Sequence, residues 1–198
     1  MTTVHWTPVF ARGKLSIFVV DPALAESDPD NYPAKLNDSD NLSKFVRNIL
    51  PEILGKMKRE HKWANVPRVL VHDKASYMVS SRHQRLNCTF AKAIEDGGFK
   101  SWLGDASATT SWLVAKWGDV YLHETAISHI RRLLGTTFAC SRLNETATQF
   151  NARCVKLSTF MNSSSFSAKD GGGLVSLAKE LRDRCQEVVR LKGERLPK

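Results

Sequence analysis

Apolar and polar residues alternate twice at the start of the chain. Residues 4–10 (VHWTPVF) and 14–20 (KLSIFVV) both read as strands, and Gly13 supplies the turn of a hairpin between them. Asp21 to Asp40 is rich in Asp, Asn, Ser and Pro and reads as loop. Leu42, Phe45, Val46, Ile49, Leu50, Ile53, Leu54 and Met57 then recur at three- and four-residue spacing, which predicts a helix. Ser39 or Asp40 is in position to cap it, and Pro51 predicts a kink or a break into two helices. The run VPRVLVHD, ending at Asp73, reads as a buried strand; residues 86–96 read as helix and residues 99–103 as a short strand. Residues 104–120 fit no single pattern. Leu122–Leu134 reads as a helix stopped by Gly135. Leu143, Ala147, Phe150, Cys154, Leu157 and Met161 mark a further helix, and Leu174 through Val189 the last amphipathic one. The stretch NSSSFSAKDGGG between them reads as loop, with glycines 171–173 a flexible joint. Strands, then alternating strand and helix, then helices predict an α/β sheet domain with helices on both faces.

Composition narrows the class. A chain of 198 residues with 42% hydrophobic content can bury a real core. No apolar run approaches the roughly 18–20 residues of a membrane helix, and the N-terminus lacks a signal-peptide pattern. An intracellular protein, not a secreted one, is therefore expected. The four cysteines, at 88, 140, 154 and 185, form no Cys-x-x-Cys pair, which argues against a zinc ribbon or a disulfide scaffold. Cys154 and Cys185 fall on apolar stripes and are expected to pack in the core.

Charge changes the picture more. The formal net charge is +9, yet residues 21–40 hold six acids and one lysine. The basic remainder suits a polyanionic partner, nucleic acid first among them; solubility alone is the ordinary alternative.

Two acids stand out against this background. Asp73 ends a strand of buried type, where open α/β sheets present side chains to a crevice; a turn or helix cap for KASYM would explain it equally. Glu124 lies near the start of an amphipathic helix, where an acid also complements the helix dipole. Together they fit a site for hard Mg²⁺ or Mn²⁺, which prefer carboxylate oxygens. Two such ions about 3.5–4 Å apart clamp the attacking and leaving oxygens of a phosphodiester. His123-Glu124 is not a zinc-protease motif, because the next histidine is His129, six residues on rather than four.

Four stretches carry a family resemblance. HWTPVFARGKLSIFVV resembles a W-G hairpin, VPRVLVHDKASYM a strand bearing an acid, and GDVYLHETAISHIRRLL a pattern S-P-D-L-N-P-I-E followed by a basic helix end. LRDRCQEVVRLKGERLPK resembles a closing R-R-C-x-A-V-I-x-A-K-G-G segment. In this order the chain resembles the catalytic domain of mariner-like transposases, which use an Asp-Asp-Asp or Asp-Asp-Glu triad. Departures are present: Lys74 replaces the usual Asn after the second acid, and Leu122 or His123 the usual Pro before the third. About 50 residues separate Asp73 from Glu124, where the family usually has some 30 to 40.

The resemblance implies a ribonuclease H-like mixed sheet flanked by helices over residues 1–138, with a helical C-terminal extension over 139–198. It implies hydrolysis of DNA at an element's end, followed by transesterification onto target DNA by the freed 3′-hydroxyl. Asp73 and Glu124 would hold Mg²⁺ or Mn²⁺. The family's first acid precedes the W-G hairpin, where this chain begins, so either the first strand and its Asp are missing or Asp21 substitutes for it. Lys74, Arg82, Arg85, Lys116, Arg131 and Arg132 would track the DNA backbone. A homodimer and, in a eukaryote, a nuclear location are further expectations. The alternatives are a catalytically inactive transposase-derived domain that binds DNA or a protein, and a ribonuclease H-like nuclease without strand transfer.

Overall fold

The computed structural model describes residues 3–64, 122–141, 144–169 and 173–191. Two compact units are formed, one by Met1–Val19 with Trp117–Lys198 and the other by Val20–Lys116.

The first unit is built on the expected hairpin. Strands β1 (Trp6–Ala11) and β2 (Lys14–Val19) pair antiparallel, with Trp6 opposite Val19 and Ala11 opposite Lys14. Arg12 and Gly13 make the turn, both at positive φ (49° and 73°), as the right-handed twist of a two-residue hairpin requires. Alternation works as predicted on β2: Leu15, Ile17 and Val19 are buried, and the intervening residues are only partly so.

Helices cover that buried face. They are α4 (Leu122–Gly135), α5 (Ala147–Met161), α6 (Ser164–Lys169) and α7 (Gly173–Arg190). Ile130 and Leu133 of α4, Cys154, Leu157 and Met161 of α5, Phe166 of α6 and Leu174 of α7 join the three β2 residues in one core. Helix α5 starts at Ala147 because Thr146 and Gln149 form a reciprocal capping box. Its last residue hands over to Asn162, whose side-chain amide accepts from the Leu15 N–H (2.9 Å) and donates to the Leu15 carbonyl (2.8 Å). One side chain thus satisfies both backbone groups that β2 presents there.

The loop expected over NSSSFSAKDGGG instead contains α6. Phe166, 1% exposed, anchors that single turn and a half into the core, a lone apolar residue that gives no periodic signal. Gly173 is a packing position rather than a joint: φ is +59°, and an added Cβ would meet Ser167 Oγ at 2.9 Å and Phe166 Cδ1 at 3.1 Å.

In the second unit, the loop expected over Asp21–Asp40 begins with helix α1 (Pro22–Ser27). None of its six residues is buried, so no apolar pattern announces it. Helix α2 (Ser39–Lys44) is capped by Asp38, one residue before the expected Ser39 or Asp40; Asp38 Oδ1 accepts from Asn41 N–H at 2.9 Å. The irregular stretch between α1 and α2 is held by side chains: Asn48 donates to the Asn31 carbonyl (2.7 Å) and Asn41 accepts from Ala34 N–H (2.7 Å).

Of the kink or break expected at Pro51, the break does not occur, because the backbone stays helical through it. Phe45–Ile49 forms a π-helical turn between α2 and α3 (Leu50–Glu60), in which Leu50 N–H reaches the Phe45 carbonyl. Proline has no N–H to give to the carbonyl four residues back, and its ring crowds that carbonyl. Widening the preceding turn accommodates both defects while the chain stays helical.

Candidate functional site

Each proposed acid can be placed only within its own unit. Asp21 belongs to the second unit, directly after buried Val20. Its backbone is extended, and its Oδ1 accepts from Ala23 N–H at 2.9 Å, the geometry of an N-cap followed by proline at N1. Its carbonyl accepts from Ala25 N–H (3.0 Å) and its own N–H donates to Tyr32 Oη (3.1 Å). The Asp-Pro pair in the sequence is therefore a helix start, and one carboxylate oxygen is already engaged.

Glu124 belongs to the first unit. It is the third residue of α4, in the first turn of a helix that buries Ala126, Ile130 and Leu133. This is the position its sequence predicts. Arg131 and Arg132 follow on the same helix and are exposed. Arg132 lies in the last turn, where a cation complements the helix dipole, and its guanidinium contacts His129 Nδ1 at 3.1 Å. Asp73, Lys74, Arg82, Arg85 and Lys116 lie outside the described residues. Among the described residues no group of three or more His, Cys, Asp or Glu is gathered to hold a metal ion. The acids put forward are all carboxylates, the donor type that suits Mg²⁺ or Mn²⁺.

Among the described residues, a part-buried charged cluster that the sequence pattern does not signal centres on Arg153. Arg153, on α5, donates Nε to Glu145 Oε1 (2.6 Å) and Nη2 to Glu145 Oε2, while Nη1 donates to the carbonyls of Leu134 (3.2 Å) and Phe138. The guanidinium also lies 5.4 Å from the Phe150 ring centre. Hydrogen bonding from Arg153 outweighs burial and holds the Glu145 carboxyl below the usual range. The cluster closes the C-terminal end of α4, the helix that carries Glu124, onto α5. An eight-residue separation between the partners hides it from local pattern reading.

Cys154 packs in the core as its stripe predicts, fully buried. Burial pushes its thiol up to about 11. Cys140 is exposed, and the Cys185 side chain is not among those described. No helix in the described residues is long and apolar enough to cross a membrane.

Comparison with known proteins brings no neighbour: no protein-family model, curated protein or solved structure matches the chain.

Proposed function

We propose that this chain is a DNA-processing domain of the mariner-like transposase type, with a ribonuclease H-like fold and a site of carboxylates at Asp73, Glu124 and Asp21. Bound Mg²⁺ or Mn²⁺ would supply Lewis-acid activation of a phosphodiester. The acids bind and orient the cations, and the basic remainder of the chain binds the DNA backbone. The observation that carries the reading is Glu124 in the first turn of α4, a helix whose Ile130 packs with β2 in one core. A helix-borne acid is what the sequence resemblance implies for Glu124. The net charge of +9 supports the same class of partner.

One observation favours a second reading, a transposase-derived domain that binds DNA without cutting it. Asp21 is fully explained as the cap of α1. Mn²⁺-dependent nicking by the parent chain separates the two, and Asp21→Asn then tests Asp21, because Asn caps a helix as well as Asp does but brings no charge to a cation. The cleavage reading expects unchanged thermal stability and loss of Mn²⁺-dependent nicking in Asp21→Asn. Asp73→Asn should lose at least about 100-fold, since even outer partners of metal ligands are worth about 10–100-fold. Nicking by the parent chain that survives Asp21→Asn removes Asp21 from the site; survival in Asp73→Asn as well removes the site.

A further inference from the structure

The C-terminal end of α3 combines a cationic cluster with an unusual backbone. Residues 56–62 hold four cations, Lys56, Lys58, Arg59 and Lys62, and one acid, Glu60, which lies 3.9 Å from Lys56. Lys58, Arg59 and Lys62 are all exposed. The helix ends in a Schellman turn: Trp63 N–H reaches the Lys58 carbonyl (3.0 Å) and Lys62 N–H the Arg59 carbonyl (3.4 Å). The residue after the cap in such a turn takes left-handed backbone and is usually glycine. Here it is Lys62, with φ +51°.

Cations in the last turn of a helix complement its dipole, which accounts for Lys58 and Arg59. It does not account for a lysine beyond the helix, in a conformation that glycine adopts at lower cost. The His61 and Trp63 rings flank Lys62 and lie against each other, with centres 5.6 Å apart. Three exposed cations within five residues of one helix end suit the phosphates of a nucleic-acid backbone.

We propose that Lys58, Arg59 and Lys62 form a DNA-backbone contact surface on the second unit. The inference rests on the DNA-processing reading for the identity of the polyanion, but not on cleavage. None of these residues is among the cations that the family resemblance assigns to DNA.

The test is fluorescence anisotropy of the full chain with a labelled duplex DNA, repeated across a salt series. The triple variant Lys58→Gln, Arg59→Gln, Lys62→Gly should bind at least about tenfold more weakly at 0.1 M salt. The slope of log K against log salt should fall by about 2–3, close to 0.9 per lost phosphate contact. Lys156→Gln with Lys179→Gln, exposed lysines of the first unit, should leave both quantities near the parent values. Lys62→Gly alone should weaken binding while its melting temperature holds or rises by about 2 °C, since glycine relieves the left-handed backbone. A stability defect cannot produce that combination. If the parent binds and the triple variant matches it in affinity and slope, the surface is overturned while the DNA reading stands. If the parent does not bind DNA at all, both fall.

Discussion

Arg153 shows how much a single residue can hold. Four hydrogen bonds from its guanidinium meet both oxygens of Glu145 and the carbonyls of Leu134 and Phe138, in and just after the end of α4, with both charged side chains mostly buried (20% and 15% exposed). Arg153→Ala would leave a carboxylate and two carbonyls without their donor, and should cost about 2–4 kcal/mol by chemical denaturation. Glu145 also sets a pH dependence. Its carboxyl titrates below the unfolded value, so the stabilisation is complete above the unfolded pKa and is lost as pH falls through the folded one. Glu145→Gln should therefore flatten the acid limb of the stability curve, and an unchanged limb would remove Glu145 as its source. At Cys154, burial raises the thiol to about 11, so iodoacetamide at neutral pH should modify exposed Cys140 well before Cys154, as peptide mapping would report. The Cys154 assignment was legible in the sequence because a heptad-like stripe runs through it. The Arg153 cluster was not, since nothing local relates a residue before a helix to one in its middle.

At the scale of elements, periodic burial decided what could be read. The hairpin, α4 and α5 bury a regular face, and they and α7 were legible to within a few residues. Helix α1 buries nothing and α6 hangs on Phe166, so both were hidden in polar sequence. The π turn before Pro51 depends on how one missing N–H is absorbed, a choice that composition does not record. Gly13 provides a test at this scale. Its φ is +73°, and an added Cβ would lie 3.2 Å from Val175 Cγ2 and 3.3 Å from Val175 Cα, at the start of α7. Gly13→Ala should therefore destabilise the first unit by about 1–3 kcal/mol, measured by urea denaturation. A neutral result would show that α7 can retreat from the hairpin tip.

For the whole molecule, the chain divides its charge as well as its contacts. Three of the six acids of residues 21–40 serve structure: Asp21 and Asp38 cap helices, and Asp28 accepts from the Asn31 side chain. What remains is a basic protein with Glu124 at the head of a packed helix and exposed cations at the end of α3. Of the candidate site, the placement of Glu124 was legible from helix periodicity. The cap role of Asp21 was not, because the helix it starts buries nothing, and Asp73 lies outside the described residues. The most direct measurement is nicking of supercoiled plasmid in Mn²⁺ by the parent chain and by Glu124→Gln, prepared in parallel. The account predicts relaxed plasmid with the parent and a rate lower by at least about 100-fold with the variant, at equal thermal stability. Equal nicking by the two proteins would contradict it.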